Sequence, residues 1–151
     1  MVFKINLSEK NGKTFHLESD AEELNGLTIN SKFDGKMLSP ELEGYELEIK
    51  GASDKAGFIV MENIEGIGLN KALLNYGKGM KKRPKREGKK KRSNPKPKGL
   101  RLRKTVRGKM ISPEIVQINI KVLKEGHKKL SEIFPEQNKP KEVTADTKKT
   151  E

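Results

Sequence analysis

The sequence contains no cysteine and no tryptophan, and only 5% of its 151 residues are aromatic. Without cysteine there is no disulfide, no thiolate metal site and no sulfur nucleophile, which suits a reducing cytosol. Long apolar runs are also missing. None approaches the ~20 residues that a membrane-spanning helix requires. The opening "MVFKINLSEKNGKTFHLE" alternates polar and apolar residues and lacks the unbroken apolar core of a secretory signal. A soluble intracellular protein is expected. With 32% hydrophobic and 36% charged residues, the chain can bury one modest core, so a single domain is the default.

Signs of catalysis are equally sparse. The two histidines, His16 and His127, lie far apart in sequence, one on the outward face of a predicted hairpin and one in a polar turn. Both read as solvated surface residues. "NGKT" at residues 11–14 ends like a phosphate loop, but the glycine that such a loop needs further back would fall on Leu7, in mid-strand. Asp54, within "GASDKAG", reads either as a base or metal ligand or as a turn cap bonded to nearby amides, and the turn reading is preferred. With no acid, base and nucleophile set together, neither enzyme activity nor a cofactor, metal or small-molecule substrate is expected.

Positive charge is what the chain has in excess. The formal net charge is +12, and residues 81–109, "KKRPKREGKKKRSNPKPKGLRLRKTVRGK", hold 16 basic residues against the single acid Glu87. That segment carries +15, whereas the rest, with 17 basic and 20 acidic residues, carries −3. One electropositive element on an ordinary body implies a polyanionic partner held at a defined place. The segment has no aromatic residue, which argues against base stacking and for phosphate contact. A membrane surface would call for an amphipathic helix, which the prolines of "NPKPKG" oppose. The candidate nucleic-acid contacts are Lys81, Lys82, Arg83, Lys85, Arg86, Lys89, Lys90, Lys91, Arg92, Lys96, Lys98, Arg101, Arg103, Lys104, Arg107 and Lys109.

This segment has two characters. "KKRPKREGKKKRSNPKPKG" combines proline, glycine and like charges, and cannot repay the entropy of ordering itself without a counter-charge. In "LRLRKTV", Leu100 and Leu102 alternate with Arg101 and Arg103 at strand spacing, so the leucines can join a core while the guanidiniums face out.

Around the segment, the pattern is one of short strands. Phe3, Ile5 and Leu7 share a strand face, Asn11-Gly12 supplies a hairpin turn, and Phe15 and Leu17 line the return. "SDAEELNG" predicts one helical turn capped by Ser19 or Asp20. Tyr45, Leu47 and Ile49 alternate until Gly51 ends their strand, and Leu69, Ala72, Leu73 and Tyr76 fall at helical spacing, predicting a short helix stopped by Gly77. "PEIVQINIKVLKEG" is the strongest strand, with Val116, Ile118, Ile120 and Val122 inward. The expected fold is mostly β: a small β-barrel with a long basic arm between strands and one or two short helices. It divides into a barrel at residues 1–126 including an arm at about 78–109, a helical turn at 127–134 packing Leu130 and Phe134, and a disordered C-terminal tail at 135–151.

"GYELEIKGASDKAGF" followed by "KGLRLRKTVRGKMISPEIVQINIKV" resembles the S6e family of small-subunit ribosomal proteins in its short archaeal form, and the match runs from the first hairpin to about Glu125. The resemblance implies a β-barrel bound to small-subunit ribosomal RNA beside neighbouring ribosomal proteins, a structural constituent of the cytoplasmic ribosome without catalytic activity. It places the RNA-facing block on Lys98, Arg101, Arg103, Lys104 and Arg107, with Gly99 and Gly108 as backbone punctuation, and a turn signature on Asp54 and Gly57 within the turn "GASDKAG" that Gly51 is expected to open. The sequence departs from the family pattern at Ala52 and at Ile59-Val60, and its tail has no counterpart of the long basic C-terminal helix of eukaryotic members. A free duplex-binding protein using the same patch is the alternative from another class.

Overall fold

The computed structural model describes residues 2–81 and 99–138. Its strands are β1 (Phe3–Ser8), β2 (Thr14–Ser19), β3 (Lys32–Asp34), β4 (Glu46–Asp54), β5 (Leu69–Asn75), β6 (Arg101–Arg107) and β7 (Ile115–Lys124), followed by one short helix, α1 (Leu130–Ile133). Five strands form one sheet in the order β2-β1-β7-β4-β3, and β5 and β6 form a separate two-stranded ribbon. The β1–β7 pair is parallel and the other ladders are antiparallel.

The first hairpin follows directly from its sequence. Phe3, Ile5, Leu7 and Phe15 are buried, Leu7 stands opposite Phe15, and Gly12 takes the positive φ of 84° that the turn demands. On β7, Ile118, Ile120 and Val122 are buried as expected, but Val116 is only half-buried and Ile115 replaces it inside. The cause is a register shift where Ser53 faces Gln117 and Asp54 faces Ile115, leaving Val116 as the extra residue of a bulge.

Several expectations are corrected. Among the described residues no ladder joins β2 to β3, and their sheet is open where a closed barrel was expected. Loop side chains complete the core in place of closing strands: Leu24, Ile29, Leu38 and Leu42 all belong to its buried cluster. Strand β4 does not end at Gly51 but runs on to Asp54, absorbing Lys50 as a bulge. The turn at Glu22–Leu24 is a 3-10 turn whose cap position is Ala21, with no side-chain capping bond.

The predicted helix over "GLNKALLNYG" is strand β5, paired with β6 from Leu69↔Arg107 to Asn75↔Arg101. Its half-buried side chains are Ala72 and Leu74, period two, while Leu69 and Leu73 are exposed. Apolar spacing alone cannot separate the two periods over so short a run.

At the C-terminal end, α1 buries Leu130, and Phe134 packs on Phe15 with ring centroids 5.9 Å apart. The chain does not leave the body at Pro135. The backbone N–H of His16 donates to Gln137 Oε1 at 2.7 Å, Gln137 Nε2 donates to the His16 carbonyl at 2.8 Å, and Asn138 Nδ2 donates to the Thr14 carbonyl at 2.9 Å. These amides stand in for a neighbouring strand along the edge of β2. The remainder of the predicted disordered tail lies outside the described residues.

Candidate nucleic-acid interface

The basic segment is the connection between β5 and β6, and strand pairing holds both of its roots. On one side the two backbone bonds between Gly77 and Met80, 2.8 and 3.2 Å, close a tight turn that buries Met80 completely, and Lys81 then emerges exposed. On the other, Gly99, with φ 75°, and Leu100 lead into Arg101, which faces Asn75 across the ribbon. Of the predicted contacts, Lys82, Arg83, Lys85, Arg86, Lys89, Lys90, Lys91, Arg92, Lys96 and Lys98 lie outside the described residues.

Directly opposed residues of an antiparallel pair share a face. The register therefore sets Arg101 and Arg103 on one face with Asn75, Leu73 and Lys71, all exposed to solvent. Lys104 is exposed too, but lies on the other face opposite Ala72. Leu102 is half-buried and Val106 fully buried, so the alternation read from "LRLRKTV" is the one observed. Lys71 also belongs to the exposed basic face, a placement that strand pairing of β5 gives and a helix over the same residues does not. The alternation of Ala72, Leu74 and Tyr76 was the signal that could have found it.

Arg107 has a different fate. It continues the Arg101–Arg103 face, yet it is only 8% exposed. Its Nε donates to Asp54 Oδ2 at 2.7 Å, its Nη1 donates to the Ile67 carbonyl at 3.3 Å, and Nη1 also pairs with the Glu114 carboxylate. At this residue, where the resemblance implies an RNA contact, the side chain is largely buried and its Nε and Nη1 are turned to protein acceptors. Asp54 is the turn residue the sequence favoured, with Oδ1 accepting the Phe58 amide at 2.8 Å and Gly57 completing the turn at φ 83°. Burial pushes the Asp54 carboxyl up, but the hydrogen bonds from Arg107 and from the Phe58 amide outweigh it, and the group is held below its ordinary value. The hydrogen bond to Asp54 raises Arg107 in turn, against burial and with help from Glu114.

Beyond Arg107 the chain is held by close backbone approach. A Cβ on Gly108 would come within 2.0 Å of the Gly66 carbonyl oxygen, so only glycine fits. Lys109 is half-buried, and its Nζ lies 2.6 Å from Glu65 Oε1. Gly51 lies inside β4, opposite Asn119, and not in the turn. Of the six described basic candidates, Lys81, Arg101, Arg103 and Lys104 present charge to solvent, while Arg107 and Lys109 are paired with carboxylates. Among the described residues no group of three or more His, Asp or Glu is arranged to hold a metal ion.

Comparison with known proteins gives one consistent result. The profile of the family "Ribosomal protein S6e" matches residues 3–95 and 93–135. The small ribosomal subunit protein eS6 of Methanosphaera stadtmanae is 41% identical over 145 residues, covering 94% of this chain and 99% of that protein. Its counterpart from Methanocaldococcus jannaschii is 40% identical over 125 residues, 83% of this chain and 84% of that protein. That of Methanothermobacter thermautotrophicus is 39% identical over 137 residues, 89% and 96% respectively.

Proposed function

The chain belongs to the ribosomal protein S6e family, structural and non-enzymatic constituents of the small ribosomal subunit in the cytoplasm, and from that premise we propose that it binds ribosomal RNA through the β5–β6 connection. The observation that carries this reading is the pair Arg101 and Arg103, exposed on one face of a strand whose ladder also roots the basic segment. A planar guanidinium can hold a phosphate through two parallel N–H bonds, and a strand fixes where those bonds point. Lys71 extends the same face, Lys81 and Lys104 supply further cations, and the basic residues between 82 and 98 add charge.

The mechanism is neutralisation and positioning. A connection tied at both ends has less freedom to lose than a tail of equal length, so its ordering on RNA is less costly. The strand-borne arginines set register, and the connection supplies counter-charge to closely packed RNA phosphates. Neighbouring ribosomal proteins are expected around the remaining surface.

The reading is tested by adding full-length protein to small subunits lacking it and sedimenting at increasing salt. Retention at physiological salt, with each neutralised phosphate contributing about 0.7 to 0.9 to the slope of log affinity against log salt, is expected. Equal displacement by duplex DNA would overturn it in favour of a general polyanion binder.

A further inference from the structure

A row of polar side chains crosses the outward face of the main sheet, and it ends in a gap. Register places His16 on β2 beside Asn6 on β1, Asn6 beside Asn119 on β7, and Asn119 beside Gly51 on β4. His16 Nδ1 donates to Asn6 Oδ1 at 2.6 Å, and Asn6 Nδ2 donates to Asn119 Oδ1 at 2.8 Å. Gln117 Nε2 donates to the same Oδ1 at 3.1 Å. With its oxygen held by two donors, the Asn119 amide cannot flip without losing both bonds. Its Nδ2 is left as a donor with no hydrogen-bond acceptor among the described residues, and it lies 3.9 Å from where a Cβ on Gly51 would stand.

Gly51 has no side chain to fill that place, and a cleft of about 690 Å³ opens over it. The cleft lies between the sheet and the root of the basic connection. Lys78 and Lys81 stand at that root, both exposed and neither ion-paired among the described residues, while Ile59 offers an apolar wall and Ser53 a hydroxyl. Its size falls within the range of small-ligand sites, roughly 300 to 1,000 Å³. Cations at the rim, an apolar side chain in the wall and one fixed donor on the floor are complementary to a phosphate, a base and a base carbonyl.

We propose that this cleft takes one unpaired nucleotide of ribosomal RNA, its phosphate at Lys78 and Lys81, its base against Ile59 over Gly51, and a base carbonyl on Asn119 Nδ2. RNA is read by proteins mainly where bases are splayed out of helices, and every part of this site suits such a base. Uracil, cytosine and guanine carry the carbonyl; adenine does not. The proposal rests on the RNA-binding reading above but differs in kind, because the β5–β6 connection grips backbone whereas this cleft selects a base.

The test uses reconstituted small subunits containing the full chain, probed by ultraviolet cross-linking with mass spectrometry and by 2′-hydroxyl acylation of the RNA. A Gly51→Val chain fills the gap, and the modest contact at 3.9 Å leaves room for the new Cβ. Asn119→Asp keeps the bonds from Asn6 and Gln117 but removes the donor, and it serves should the first variant fold poorly. Wild type is expected to give mononucleotide adducts on peptides bearing Lys78, Lys81 or Asn119. Either variant should incorporate normally, lose those adducts, and raise acylation at one unpaired nucleotide several-fold. Normal incorporation with an unchanged acylation pattern would overturn the proposal, as would cleft cross-links to a protein peptide. Failure of the wild-type chain to bind RNA at all would instead overturn the function proposed for the connection.

Discussion

The two ends of β6 carry the same side chain on the same face and put it to opposite uses. Arg101 and Arg103 stand in water, with Asn75 and Leu73 opposite them. Arg107, further along that face, lies under the Asp54 turn and bonds to Asp54, the Ile67 carbonyl and Glu114. What separates them is not residue type but what the neighbouring segments supply at each end of the strand. The bulge that pairs Asp54 with Ile115 brings a carboxylate to one end, and no described carboxylate pairs with the guanidiniums at the other. A basic motif thus contains both a fastening to the body and guanidiniums left facing solvent, where the RNA contact is proposed.

The largest effect should come from breaking the fastened end. Arg107→Met keeps most of the volume but leaves Asp54 buried without its cation, and breaking such a pair costs about 3 to 5 kcal/mol. Chemical denaturation of the free protein should show that loss, and a cost below 1 kcal/mol would mean the two ends do not differ as described. Next in size is the carboxylate. Asp54→Asn removes a charge-assisted bond worth about 1.5 to 3 kcal/mol. Because Asp54 in the folded protein is held below its ordinary value of 3.8, its contribution is present above that pH and is lost as pH falls through the folded value. Stability of the wild type should therefore decline in acid below about pH 4, and the Asn variant, weaker at neutral pH, should lack that part of the decline.

At the free end the outcome should invert. Changing Arg101 and Arg103 together to Ala should leave the denaturation midpoint of the free protein nearly unchanged, within ~0.5 kcal/mol as for other surface changes. Binding should weaken, with the log–log salt slope smaller by about 1.4 to 1.8 if each guanidinium neutralises one phosphate. A stability loss like that of Arg107→Met would erase the contrast.

How far this contrast is visible in sequence depends on range. Local patterns carried through: the Asn11-Gly12 hairpin, the inward Ile118, Ile120 and Val122, and the alternation of Leu100 and Leu102 with Arg101 and Arg103 all appear as read. Readings that depended on distant partners did not. β5 took strand form because β6 lies beside it, and "GLNKALLNYG" alone satisfies either period. The open sheet reflects loop residues such as Leu24 and Leu42 taking core positions, which no spacing announces. Arg107 looked like its neighbours because Asp54 lies 53 residues away, and only the fold joins them. Likewise, the amide row from His16 to Asn119 is assembled from three strands and has no linear signature.

Lys109 lies between the two extremes and gives the smallest and most discriminating prediction. Like Arg107 it meets a carboxylate, with Nζ 2.6 Å from Glu65, but the Glu65 side chain is 81% exposed and that of Lys109 31% exposed. Water around Glu65 screens the attraction and would resolvate it if the lysine were gone, so the pair should contribute only about 0.2 to 1 kcal/mol. Lys109→Met, which keeps the apolar stem, should accordingly lower stability by less than 1 kcal/mol, and raising the salt should shrink the difference further. The backbone bond from Lys109 N to the Ile64 carbonyl, 2.7 Å, survives the change and keeps the loop in place. If the cost instead approached that of Arg107→Met and resisted salt, then the presence of a carboxylate, and not its burial, would be what divides fastened from solvent-facing cations between Arg101 and Lys109.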